Sequence, residues 1–439
     1  MAALPLKPRH YPATPGLVRR TQADFTRDQL RSRGVRTALT EPLLDVRPAQ
    51  PRLVSSAEGA LRRLLLAIPD YAVASPPLAA IYGDLCGALG PDVALVILTH
   101  EAVAADVRRM LAAAGRNAAG DMVVAAPDHL VFSVWAEDGY CVVTDGEEDT
   151  TYLVEPYSFP RYGDGLIAEF VSNATDLRKA QAPLYFQGGN VLIGDDFFFI
   201  GADYPAESLA YVGQVLAPAA GESPAALVRR LYGEYLDGGR RLIYVGSTVP
   251  VPIERERRVT IDGERWTEVL HAGNDTGTAQ PIFHIDMFVT LAGRGPDGRY
   301  RVLVGDPALA AQLTGERVQA HAMREVFDSI AAGLSRLGFA VIRNPLPLAY
   351  VDDPDARVRF WYFATANNAL VQVSEAAGNH VYLPSYGHGG WASLRPVDDR
   401  NETIWRDLGF TTHVLGDCHP LAANLGSVHC IKKFLARDR

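Results

Sequence analysis

Leu425-Gly426-Ser427-Val428-His429-Cys430-Ile431, close to the C-terminal end of a 439-residue chain, sets a cysteine beside a histidine in an apolar, β-like segment. Far upstream, Phe283-His284-Ile285-Asp286-Met287-Phe288-Val289 carries a second histidine with an aspartate two positions on. Trp135-Ala136-Glu137-Asp138-Gly139 carries an acidic pair. A thiolate is a strong nucleophile, an imidazole carries protons near neutral pH, and carboxylates hold cations. The three stretches together form a chemical set.

Each stretch alone has two readings. By residue type, the segment around His284 is a strand, so alternation places His284 and Asp286 on one face and Ile285 on the other. That face is either an exposed edge or the lining of a polar cavity. Glu137-Asp138-Gly139 follows a strand and is either a solvated turn or a carboxylate pair able to fork a guanidinium. Phe186-Gln187-Gly188-Gly189-Asn190-Val191 is a turn or a place of close backbone approach before a strand. Cys430 is a buried structural cysteine or a reactive one, and Cys418-His419 is a competing pair.

The composition bounds the class. The chain is 48% hydrophobic and 21% charged, which excludes a disordered protein, and no apolar run reaches membrane-spanning length. A formal net charge of −9 disfavours a nucleic-acid partner and suits a cationic small substrate. The four cysteines, Cys86, Cys141, Cys418 and Cys430, have no CxxC spacing, so neither a zinc site nor a disulfide framework is expected. The first residues, MAALPLKPRHYPATPGLVRRTQ, are basic and proline-broken without a signal-like apolar core, which predicts a cytoplasmic protein.

Along the chain, residues 1–55 read as an N-terminal arm and 56–439 as one α/β domain. Strands are predicted at 93–98, 122–125, 129–135, 140–144, 191–193, 197–200, 242–245, 282–291, 300–304, 340–343, 359–364 and 380–383. The 191–193 and 197–200 strands pair as a hairpin across Gly194-Asp195-Asp196. Helices are predicted at 101–114, stopped by Gly115, from Ser223-Pro224 to about 235, at 320–336 and at 400–408. No sequence repeat is visible, although the strand–strand–helix–strand rhythm is compatible with a diverged structural one.

In order along the chain, four blocks resemble the guanidino-group-modifying superfamily of arginine, agmatine and peptidylarginine deiminases, dimethylarginine dimethylaminohydrolases and amidinotransferases. They are Val134–Asp138, then Gln187–Leu192 with Phe197–Gly201, then His284-Ile285-Asp286, then Gly426–Cys430. The resemblance implies a five-bladed, pseudo-symmetric α/β propeller of ββαβ-type units with its site in the central channel. It implies Cys430 as nucleophile, His284 as general acid and base, and Asp138 and Asp286 as the carboxylates that grip a guanidinium. Trp135, Glu137, Gln187, Gly189 and Asn190 would line the substrate. No metal or organic cofactor is implied. Gln187 departs from the pattern, because several members have an acidic residue there. Either Glu137 compensates or the substrate differs. Arg161 and Arg343, considered as readers of a substrate carboxylate, are assigned to surface salt bridges outside the site.

The reading is a hydrolase that turns an arginine-like guanidine, small or peptidyl, into a ureido product with release of ammonia or amine. An amidinotransferase and a non-catalytic binder of an arginine ligand are the alternatives. No membrane partner is expected, and a homo-oligomer is left open.

Overall fold

A computed structural model describes residues 46–116, 120–148, 150–161, 163–216, 218–252, 256–270 and 279–438. Most of the N-terminal arm therefore lies outside the described residues, but Pro51–Leu53 adds an antiparallel edge strand to Cys141–Asp145.

One local pattern recurs in five of the six sheets among the described residues. A short strand pairs antiparallel with the next, one or more helices cross over, and a third strand returns parallel to the second. Cys141–Asp145, Thr150–Glu155 and Arg178–Gln181 form one such unit across the helix Ile167–Ala174. Val191–Ile193, Phe197–Gly201 and Arg241–Val245 form the next. Val289–Arg294, Tyr300–Asp306 and Ala340–Pro345 form another, and Leu370–Gln372, His380–Ser385 and Thr411–Asp417 a fourth. The last unit joins the two ends of the described chain: Lys432–Arg437 pairs antiparallel with Leu61–Ala67, which runs parallel to Ala94–His100. The parallel returns require crossovers, and helices supply them. The sixth sheet pairs the hairpin Glu256–Ile261 and Glu264–Val269 with Val358–Phe363 and Leu348–Asp353. No sheet among the described residues closes into a barrel.

Local chemistry explains the elements that the sequence foretold. Ser223 Oγ accepts from Ala226 N at 3.2 Å and caps the helix Pro224–Tyr235. Gly115, at φ +75°, follows the helix Ala104–Ala113 in a conformation open to glycine. The apolar strands Leu61–Ala67 and Ala94–His100 are almost wholly buried, as central parallel strands are.

Two predicted strands are corrected. Residues 129–135 form no strand; the chain runs there as a loop from Pro127 towards Cys141. At 282–291 the strand starts only at Val289, because His284 is extended and Ile285–Met287 is a single 3-10 turn. Alternation on a strand therefore does not relate His284 to Asp286. The helices Pro76–Ala88, Ile167–Ala174, Tyr204–Val215 and Pro307–Thr314 went unpredicted. Among the described residues, no helix is long and apolar enough to cross a membrane.

Candidate active site

Each unit ends its preceding loop immediately before its first strand, and those loop ends carry the candidate chemistry. Asp138 precedes Cys141–Asp145, Gly189 and Asn190 precede Val191–Ile193, and His284 and Asp286 precede Val289–Arg294. Asn368 precedes Leu370–Gln372, and Cys430 precedes Lys432–Arg437. Hydrogen bonds link these loop ends in a ring. Glu137 N donates to Cys430 O at 3.1 Å, and Gly188 N to Asp138 O at 3.0 Å. Ile285 N donates to Asn190 Oδ1 at 2.9 Å, and Asn368 Nδ2 to Asp286 O at 3.4 Å. Cys430 N donates to Asn368 Oδ1 at 3.2 Å and closes the ring. Asn190 is held in turn by Gln280, whose Nε2 lies 2.9 Å from Asn190 Oδ1.

Inside this ring the polar side chains are buried. Cys430 Sγ lies 3.6 Å from Asp286 Oδ2 and accepts from Asn368 Nδ2 at 3.2 Å. His429 Nδ1 donates to the same Asp286 oxygen at 2.8 Å. His284 Nε2 meets Gln187 Oε1 at 3.0 Å, and Gln187 Nε2 donates to Tyr185 Oη. A carbonyl oxygen only accepts, so Nε2 of His284 carries a proton and Nδ1 is its other face. That Nδ1 lies 3.6 Å from Asp138 Oδ1. Gly189 marks where these groups converge. A Cβ there would fall 2.6 Å from His284 Nδ1, 3.1 Å from Asp286 Oδ2 and 3.2 Å from Asp138 Oδ1. Trp135 packs so closely on Gly426, ahead of the cysteine, that any side chain at 426 would collide with its ring.

The two aspartates share a partial pairing. Arg161 donates to Asp138 Oδ2 at 2.6 Å and His429 to Asp286 Oδ2, whereas Asp138 Oδ1 and Asp286 Oδ1 are buried without a hydrogen-bond partner among the described residues. Arg161 also pairs with Asp164, which accepts from Ser133, so the loop that bears Asp138 is anchored. Arg161 is therefore part of the site, against the expectation that placed it on the surface. Arg343 does lie apart, paired with Asp328 and Asp306.

Glu137 does not do what Gln187 lacks. Both its oxygens are engaged, by Lys432 at 2.7 Å and Lys433 at 2.8 Å. Burial pushes its carboxyl up, but the two lysines outweigh it and hold it at about 2. Burial pushes the Lys432 ammonium down to about 8 against the pull of Glu137. With the histidines counted as neutral, four buried carboxylates (Glu137, Asp138, Asp164, Asp286) face three cations (Arg161, Lys432, Lys433). The carboxylates outnumber the lysines and the arginine by one, and His429, bonded to Asp286, is the further donor at the cluster.

Cys430 and His284 are shifted in opposite directions. Burial, then Asp286 and Asp138, push the Cys430 thiol well above its ordinary range. Burial pushes His284 down, although both aspartates pull it up. Both shifts favour the neutral forms, a thiol and an imidazole with its proton on Nε2. Cys418 is a buried thiol pushed up to about 12 by desolvation, and His419 is spent on Tyr362 Oη and Tyr386 O. That second Cys–His pair is structural.

No family model matches the sequence, and no curated protein matches it significantly. Solved structures do. Agmatine deiminase of C. jejuni superposes with a TM-score of 0.57 at 10% identity, covering 89% of this chain and 98% of its own. The C. jejuni enzyme with its cysteine changed to serine and substrate bound gives 0.55 at 11% identity, covering 89% and 98%. Agmatine deiminase of Enterococcus faecalis gives 0.54 at 12% identity, covering 87% and 95%. The chain has the agmatine deiminase fold. At such identities the likeness establishes the fold alone, and the chemistry is read from the side chains above. Asn368, His429 and the two lysines were missed by the sequence reading. Only His429, beside the cysteine, carried a visible signal.

Proposed function

We propose that this protein is a guanidino-group hydrolase of the deiminase type. The carrying observation is the pair of buried oxygens, Asp138 Oδ1 and Asp286 Oδ1, which have no hydrogen-bond partner among the described residues and lie beside the Cys430 thiol. A guanidinium offers planar N–H donors and a positive charge together. The repeated units and the closed ring of loop ends support reading the body, from about residue 56, as five blades around one axis with the site at its centre.

The chemistry follows from the charges. A bound guanidinium neutralises the carboxylates that hold the Cys430 proton in place, and a cation beside sulfur favours thiolate. The proton passes to His284, and sulfur attacks the guanidinium carbon to form a C–S bond. His284 returns the proton to the departing nitrogen as the C–N bond breaks, which leaves a thiouronium on Cys430. Neutral His284 then takes a proton from water. The water oxygen bonds to carbon, the C–S bond breaks as His284 returns its proton to sulfur, and the remaining hydroxyl proton leaves to solvent, which gives the neutral ureido product and the thiol.

The test is ammonia or amine release from arginine, agmatine, methylated arginines and an arginine peptide, compared with Cys430→Ala. Mass spectrometry reads the guanidino-to-ureido change. Turnover by wild type and none by the variant is expected. Product that forms only with an added amine acceptor would replace hydrolysis with amidino transfer, and binding without product or adduct would remove the enzymatic reading.

A further inference from the structure

The reaction uses Asp138 but not the glutamate before it, and Glu137 is nonetheless the most heavily bonded residue of its loop. Its main-chain N donates to Cys430 O at 3.1 Å, and its main-chain O accepts from Lys433 Nζ at 2.9 Å. Its carboxylate takes Lys432 on one oxygen and Lys433 on the other. Two adjacent lysines at the start of the strand Lys432–Arg437 thus converge on one carboxylate, one on each oxygen. The Lys432 ammonium is further held 3.7 Å over the Phe434 ring.

A buried ion cluster seldom stabilises more than apolar packing of the same volume, because desolvation offsets the attraction. Its directional bonds instead fix one relative placement of the segments that it joins. Here those segments are the loop that ends in Asp138 and the strand that starts two residues after Cys430. We infer that Glu137, through Lys432 and Lys433, is a positioning residue that sets the separation between the Asp138 carboxylate and the Cys430 sulfur. The inference rests on the guanidino-hydrolase reading above.

The test uses full-length Glu137→Gln, with kcat and KM on whichever guanidine the wild type turns over. Alkylation of Cys430 by cationic 2-chloroacetamidine and by neutral iodoacetamide is measured alongside. A positioning role predicts a kcat lower by about 100-fold with KM within about threefold, since sub-ångström misplacement of reacting groups costs rate more than binding. It also predicts loss of the wild-type preference for the cationic reagent. A folded Glu137→Gln protein with wild-type kcat and intact preference overturns the inference, as does an equal fall in both alkylation rates. If Glu137→Gln does not fold, Lys432→Met replaces it, because it leaves a neutral Glu137–Lys433 pair. About a tenfold loss of kcat is then expected, and wild-type turnover overturns the inference. Should the wild type turn over no guanidine, the function fails on its own, and the ratio of the two alkylation rates still reads the spacing.

Discussion

Glu137 and Asp138 are consecutive carboxylates, equally buried, and their surroundings give them opposite work. Glu137 has a lysine on each oxygen. Asp138 has Arg161 on one oxygen and, among the described residues, no hydrogen-bond donor on the other. Asp286, in another unit, repeats the second arrangement with His429 in place of Arg161. Neither residue type nor burial separates a clamp from a ligand here; the number of unfilled acceptor positions does. A fully paired carboxylate holds the chain in place, and a half-paired one keeps an acceptor position open for the proposed guanidinium.

The strongest way to break this comparison is to neutralise each kind in turn. Asp286→Asn keeps an acceptor for His429 but removes the charge offered to a guanidinium. Its kcat/KM is expected to fall by at least about 10³-fold, in line with the loss of a buried electrostatic partner in a transition state. Stability should change by less than about 1 kcal/mol, since a half-paired buried charge is a poor stabiliser. Glu137→Gln should cost about 3–5 kcal/mol in a denaturant titration, because it leaves two buried lysines sharing a neutral amide. Equal stability losses at 137 and 286 would dissolve the distinction.

Acid titration sharpens the same contrast. The Glu137 carboxyl falls from 4.5 to about 2 on folding. A depressed carboxyl adds stability that is complete above its unfolded value and is lost as pH falls through its folded value. Wild type should therefore weaken between about pH 4.5 and 2, with a shallower loss in Glu137→Gln, measured as the unfolding midpoint against pH.

Gly189 tests the binding half by filling space. An alanine methyl would fall within 2.6–3.2 Å of His284 and both aspartates, where the reacting group must sit. Gly189→Ala should lower kcat/KM by about 100-fold at a stability cost of about 1–3 kcal/mol, because His284 must shift to admit the methyl. A glycine needed only for its backbone would lose stability without that loss of rate.

How far the sequence could be read follows from where information is stored. The helix Pro224–Tyr235 and the hairpin Val191–Ile193 with Phe197–Gly201 were legible because caps, turn residues and apolar runs act locally. Cys430, His284, Asp138 and Asp286 were legible as blocks, and the structure brings all four together. Asn368 was invisible, since an Asn-Asn pair before a short strand resembles any turn. Its role appears only when its loop end is placed in the ring with the other four. Arg161 was misplaced because an arginine two residues before glycine reads as surface, and its buried partners Asp138 and Asp164 come from folding. Glu137 was misread because Lys432 and Lys433 lie almost three hundred residues away.

The smallest expected effect concerns Gln187, the position where the resemblance expects an acid. Its amide accepts from His284 Nε2 but brings no charge, so burial dominates and His284 is pushed down. A carboxylate at the same place would favour the imidazolium and pull His284 back up. In the proposed second half-reaction His284 is neutral when it takes a proton from water, so the low-pH limb of kcat would report its titration. Gln187→Glu should shift that limb toward alkaline pH, with plateau kcat within about tenfold of wild type. The limb is read from initial rates across pH with a saturating guanidine. An unmoved limb would mean that the histidine held by Gln187 is not the base, and His429, whose buried Nε2 has no hydrogen-bond partner among the described residues, would take its place in the argument.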